Sequence, residues 1–368
     1  MNELGYWVAL SRVSGIGYGR LRLLKAHFHS LERAWAAPQQ ELCEAGLDRQ
    51  LAEQLCRSRE TLSPESELAR LAQCGVEAYT LDDPRYPPLL AQAPDAPPVL
   101  FVRGALPTAD RMLLAVVGTR RPTAYGRQAT TELVEGLVSA DVVTVSGLAR
   151  GIDTMVHRET LDRDGTTVAV LAAGLDEVYP PENLSLARRV LSTGALVSEH
   201  PPGTKLRRES FLRRNRIMSG LSRGTIVVEA GERSGALVTA RNALDQDRDV
   251  FALPGSAFSP ESLGTNRLIQ RGEAKLVISA ADILSDYSLG GATLRSAAQP
   301  SLQADAFQVR LMAEMGASPV HCDDLARRLG ASSQDVSAAL TLLELQGVVR
   351  DVGGMQFVVS SRWLSEVS

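Results

Sequence analysis

Hydrophobic and polar positions follow three rhythms along the chain. Residues 1 to about 75 repeat apolar side chains at helical spacing. Residues 76 to about 288 alternate short β-branched runs with helical stretches. These runs begin at Leu113, Val142, Thr166, Ala195, Gly224, Asp249 and Ala274, so successive starts lie 24 to 29 residues apart. The stretch from Gly75 to Gly104 adds a strand on each side of a proline-rich connector and is expected to extend a sheet edge. Residues 289–304, small and polar with Gly, Ser and Pro, read as a linker. Helical patterns follow at 305–316, 321–329 and 333–346, then two strands around Gly353-Gly354.

Near-continuous apolar strands at that spacing, with helices between them, specify βαβ units. The expected fold is α/β: a doubly wound, extended Rossmann-like parallel sheet with helices on both faces. Seven such runs without an eighth unit disfavour a closed barrel. Four regions are expected. A helical domain covers 1–75 and the Rossmann-like domain 76–288. The linker covers 289–304 and a winged-helix domain 305–368. In the first, Gly15-Ile16-Gly17 has the look of a helix-hairpin-helix, or SAM-like, turn. Four cations and no acid lie within residues 4–31 (Arg12, Arg20, Arg22, Lys25), so either phosphate contact or plain helical packing fits it.

Composition narrows the function. The 368 residues are 44% apolar and 22% charged, which excludes disordered, collagen-like and coiled-coil chains. The longest apolar runs are strand-sized and the N-terminus lacks a basic leader, so a cytoplasmic protein without a membrane span is expected. Four scattered cysteines form no CxxC, and His27 and His29 have no carboxylate partner in view. Neither a metal nor a disulfide framework is expected. The net charge of −4 gives no global argument for nucleic acid, so any such argument must be local. Lysines number three among 39 cationic residues; nearly every cationic contact is therefore a guanidinium, able to fork onto phosphate and stack on bases.

Ligands of an open α/β sheet bind outside the carboxyl ends of its strands. Glycine-bearing loops follow four of the runs: Gly118 to Gly126, Ser146 to Asp153 (with Gly147 and Gly151), Ala172 to Asp176 (with Gly174), and Glu229 to Ala236 (with Gly235). Each leads toward a helix N-terminus, where backbone N–H groups favour phosphate. Neither G-x-G-x-x-G nor a P-loop occurs, so no nucleotide cofactor is expected. Asp153 and His157 read as a surface ion pair rather than an acid–base pair. Residues 205–216, KLRRESFLRRNR, hold six cations and one acid after the fourth run. Cations with an aromatic platform suit single-strand binding; Phe211 is read as a stacking ring, or alternatively as core. Residues 300–368 instead hold five basic and eight acidic residues, and the 333–346 helix has no cation. Protein contact is expected there rather than DNA.

At these loops the chain resembles the DprA/Smf family of DNA-processing proteins. The resemblance rests on VVGTRRPTAYG (116–126), SGLARGIDTMVH (146–157), LAAGLDEVYPPEN (171–183), VSEHPPGT (197–204), FLRRNRIMSGLS (211–222), VVEAGERSGALVTARNA (227–243), VFALPGS (250–256) and GTNRLIQRGEA (264–274). It implies non-enzymatic binding of single-stranded DNA, loading of the RecA recombinase during natural transformation, and a homodimer through the Rossmann-like domain. By motif, Arg120 should contact phosphate, and Thr119 with Gly118, Gly147, Gly151, Gly174 and Gly235 should offer donors. Phe211 should stack beside Arg207, Arg208, Arg214, Asn215 and Arg216; Arg208 stands where some members carry lysine. A nucleotide-binding sensor or a phosphoribohydrolase-like enzyme is the alternative. The latter's P-G-G-x-G-T loop with its following acid is absent, since no acid lies between Gly235 and Ala243.

Overall fold

The computed structural model describes residues 3–288, 305–315 and 318–359; the expected linker and the tail from 360 lie outside the described residues. Six helices open the chain: α1 (Glu3–Ser11), α2 (Tyr18–Phe28), α3 (Leu31–Ala36), α4 (Gln39–Glu44), α5 (Arg49–Ser58) and α6 (Pro64–Cys74). Side-chain caps set several of their starts: Ser30 accepts from Arg33 N, Asp48 from Leu51 N and Ser63 from Ser66 N. Gly15 turns the chain between α1 and α2 at φ +93°, a left-handed conformation that favours glycine. Three of the four cations near this hairpin are engaged internally. Arg12 pairs with Glu67 at 2.6 Å and donates to Pro202 O, Arg20 reaches Gly15 O and Asp48, and Lys25 pairs with Asp82 at 2.8 Å. That commitment favours the packing reading of the hairpin.

The sheet begins with β1 (Glu77–Thr80), α7 (Pro88–Ala91) and β2 (Val99–Gly104). It continues through β3 (Leu113–Val117), α8 (Ala124–Ser139), β4 (Val143–Ser146), α9 (Ile152–Leu161) and β5 (Thr167–Val170). Then come α10 (Leu184–Thr193), β6 (Ala195–Ser198), α11 (Arg208–Leu221), β7 (Gly224–Val227) and α12 (Ala236–Asp245). Last are β8 (Asp249–Ala252), α13 (Leu263–Gln270), β9 (Lys275–Leu276) and α14 (Ala280–Asp286). The seven expected strands start within one residue of their predicted positions. The strand order is β1-β2-β6-β5-β4-β3-β7-β8-β9, with β6 through β9 parallel and β1 and β2 an antiparallel extension of one edge.

Successive side chains of a strand face opposite ways, and both faces are apolar. Leu114 and Val116 pack with Leu133, Leu137, Ile152 and Val156 of α8 and α9. Ala115 and Val117 pack with Ile217, Met218 and Leu221 of α11 and with Ala236 and Ala240 of α12. The sheet is thus doubly wound. After β6 the chain crosses to β7, beside β3, so the winding direction reverses between β3 and β7.

Downstream lie α15 (Ala306–Met315), β10 (Val320–His321), α16 (Cys322–Leu329), α17 (Ser333–Leu345), β11 (Val349–Gly353) and β12 (Gln356–Val359). Three helices and a sheet of order β10-β12-β11 make the winged helix. Its β11 meets α8: Arg127 Nε donates to Val352 O at 2.6 Å and Arg350 pairs with Glu135 at 3.5 Å. Among the described residues no helix is long and apolar enough to cross a membrane, and no His, Cys, Asp and Glu cluster is placed to hold a metal.

Candidate nucleic-acid interface

A cleft of about 510 Å³ opens at the reversal point, where the loops after β3 and β7 separate. Crevices of this kind are where doubly wound sheets take ligands. Arg120 hangs exposed from the β3 loop, its guanidinium carbon 5.3 Å from the centre of the Phe211 ring. Tyr179, 40% exposed, meets Phe211 edge-on at 5.6 Å. Phe211 is half-buried and outside the apolar core, so the core reading of this side chain is overturned. A cation and two rings therefore stand together at the mouth. Sequence reasoning missed Tyr179, although it lies within the 171–183 stretch.

The cleft brings together Gly118, Thr119, Arg120, Phe211, Arg214, Asn215 and Gly235, but is not lined by Gly147, Gly151, Gly174, Arg207, Arg208 or Arg216. Arg207 and Arg208 are exposed at the start of α11. Lys205 and Arg213 are exposed as well, whereas Arg214, Asn215 and Arg216 turn inward. Arg214 is 4% exposed and donates to Gly147 O and Val170 O. Asn215 Nδ2 donates to Gly235 O at 3.1 Å, tying α11 to the rim of the β7 loop. Arg216 pairs with Glu199 at 2.5 Å and Asp95 at 3.1 Å. Arg214 and Arg216, expected beside Phe211 as DNA-binding residues, are instead engaged within the chain, Arg214 by two carbonyls and Arg216 by two carboxylates.

The glycine loops also differ from the expected set of phosphate donors. Thr119 N donates to Glu229 O at 2.7 Å, Gly147 N to Asp153 Oδ2 at 3.1 Å, and Gly174 N to Thr204 O at 3.2 Å. A Cβ on Gly118 would stand 2.6 Å from Ile152 Cγ1, and one on Gly151, at φ +81°, would meet the Thr119 carbonyl. These glycines let neighbouring loops touch. Moreover, the N-cap of α8 already holds a carboxylate. Glu229, 1% exposed, accepts from Thr123 N and Thr123 Oγ1, and Gly126 leaves the space its carboxylate fills. The helix N-terminus is satisfied from within. Sequence reasoning gave Glu229 no role; an acid two residues after β7 was the available signal.

Beneath the loops the electrostatics are tight. Burial raises the Asp153 carboxyl, opposed by the charge of Arg214 and the Gly147 amide. Burial lowers Arg214 to about 10. His157, fully buried, bonds Thr167 through Nδ1 and is pushed down to about 3 by burial and then by Arg214, so it is neutral. The expected surface ion pair of Asp153 with His157 does not exist: both are buried, and each has another partner.

The family described as DNA recombination-mediator protein A matches residues 77–288, and the DprA winged-helix domain matches residues 295–355. Protein Smf of Synechocystis is 35% identical over 97% of this chain and 98% of its own length. Protein Smf of Escherichia coli is 38% identical over 96% and 95%. DNA processing protein DprA of Bacillus subtilis is 44% identical over 60% of this chain and 74% of its own. Among solved structures, DNA processing protein A of Streptococcus pneumoniae superposes with a TM-score of 0.66 at 32% identity, covering 77% of this chain and 97% of that one. The Helicobacter pylori protein, described for its single-stranded DNA binding mode, gives 0.53 at 28% identity over 58% and 95%. With its doubly wound sheet, its winged helix and near full-length relatives, the chain belongs to the DprA/Smf family of DNA-processing proteins.

Proposed function

We propose that this chain binds single-stranded DNA without sequence preference in the cleft between the β3 and β7 loops. It would do so in the cytoplasm as a non-enzymatic homodimer that presents the strand to the RecA recombinase during natural transformation. The observation that carries the reading is the group at the cleft mouth: Arg120 over Phe211, with Tyr179 edge-on. Every base has a π-face, so such rings accept any sequence, while exposed guanidinia follow the phosphates. Duplex DNA keeps its bases stacked and offers the rings nothing.

The test compares an oligonucleotide with its blunt duplex across a salt series. The single strand should bind more tightly, and its affinity should fall with a slope of about −0.7 per phosphate contact. Equal affinity for the duplex, or no salt dependence, would count against the reading, and nucleotide hydrolysis by the wild-type chain would overturn its non-enzymatic part.

The homodimer draws support from the β9 edge, where Leu276 and Ile278 are 47% and 74% exposed. An open edge strand with apolar side chains invites pairing with a second copy. Light scattering at micromolar concentration should give twice the chain mass, and a monomer would remove this part of the proposal.

A further inference from the structure

A second groove, of about 160 Å³, runs between α12 and α13. It is lined by Arg241, Arg267 and Arg271, all exposed, over a floor of Leu237, Leu244 and Leu268. Glu232 lines both this groove and the cleft, so the two sites share one wall. Arg267 forms an ion pair with Glu232, whereas Arg241 and Arg271 have neither an ion pair nor a side-chain hydrogen bond among the described residues. With Glu232 and Glu273 as its two acids against three arginines, the groove carries a net charge of +1 in a chain of net charge −4, and Glu232 is already matched by Arg267.

We infer that this groove is a second phosphate-binding stretch of the same interface, taking the backbone of a single strand that leaves the cleft over the Glu232–Arg233 rim. The inference rests on the proposed binding of single-stranded DNA. A planar guanidinium donates two parallel hydrogen bonds to a phosphate, so Arg241 and Arg271 suit one phosphate each. Glu232 divides the two sites. As the strand crosses, Arg267 exchanges the Glu232 carboxylate for a phosphate. Glu232 thus opposes the crossing by occupying Arg267 and by its own negative charge.

Strand length separates this site from the cleft. Thymidine oligomers of about four and about sixteen nucleotides span the range of site sizes on single-strand binders. The double variant Arg241→Gln/Arg271→Gln should bind the four-mer like wild type. For the sixteen-mer its salt slope should be shallower by about 1.4, about 0.7 for each phosphate that is no longer neutralised. Glu232→Gln should tighten the sixteen-mer. A double variant that is folded by thermal melt and binds both oligomers like wild type overturns the inference while leaving the cleft reading intact. A wild type that binds neither oligomer overturns the cleft reading itself. A change in mass by light scattering in the double variant would assign the groove to contact between copies and would also overturn the inference.

Discussion

Phe211→Ala should weaken single-strand binding by about 1–3 kcal/mol, the worth of one stacked base, and leave the salt slope unchanged. The ring is half-buried and outside the core, so the variant should melt close to wild type. A core phenylalanine would cost about 3–5 kcal/mol of stability instead. Arg120→Ala should lower the slope by about 0.7, the share of one neutralised phosphate. The two effects should not add, because the Arg120 guanidinium covers the ring on which a base must stack. An exposed cation–π contact is worth about 0.5–1 kcal/mol, and a base arriving on that face displaces it. Arg120→Ala thus gives up a phosphate and simultaneously uncovers the platform. In the Phe211→Ala background only the first of these effects remains, so Arg120→Ala should cost more there than in wild type. Strict additivity in the double-mutant cycle would place the base elsewhere. Folded Arg120→Ala protein that binds like wild type, with an unchanged slope, would remove Arg120 from the interface.

Much of the fold was legible because its signal is local. The run LLAVV is apolar at every position, as a strand buried on both faces requires. The winged helix showed in its three helical patterns and its Gly353-Gly354 turn. The site was legible in position and less so in orientation. Residues 205–216 look uniformly basic, yet α11 buries Ser210, Arg214, Ile217, Met218 and Leu221 on one side. The spacing of those apolar positions already put Arg214 on the core face, and reading net charge without helical phase missed it. The glycine loops failed for a different reason. A glycine records that something comes close, without saying whether it is a ligand or another part of the chain. Here the close partners are Ile152, the Thr119 carbonyl, the Glu229 carboxylate and the Arg214 guanidinium, each contributed by a distant segment.

Arg214→Met should destabilise the protein strongly, and by an amount that depends on pH. The guanidinium lies where a Gly147 side chain would otherwise be and bonds the carbonyls ending two neighbouring strands, Gly147 O and Val170 O. It also supplies the positive charge that opposes the effect of burial on Asp153. Methionine fills similar space but leaves that carboxylate buried without its counter-charge, a change that costs about 3–5 kcal/mol in comparable settings. The sign with pH follows from the direction of the Asp153 shift. A carboxyl whose pKa is higher in the folded than in the unfolded chain binds its proton more tightly when folded. Its contribution to stability is therefore greatest below the unfolded value, about 3.9, and falls as pH rises through the folded value. Removing Arg214 raises the folded value further and enlarges that fall. The gap between variant and wild type should be smallest near pH 4 and largest near pH 7, read by denaturant unfolding at both. His157 contributes with the same sign, because Arg214 helps to push its pKa down and losing Arg214 relieves a penalty felt in acid; the next variant separates the two contributions. Adding Asp153→Asn to the variant should recover part of the stability at neutral pH and little in acid. A gap that is the same at both pH values would mean that the two carbonyls, not the carboxylate, set the cost of removing Arg214.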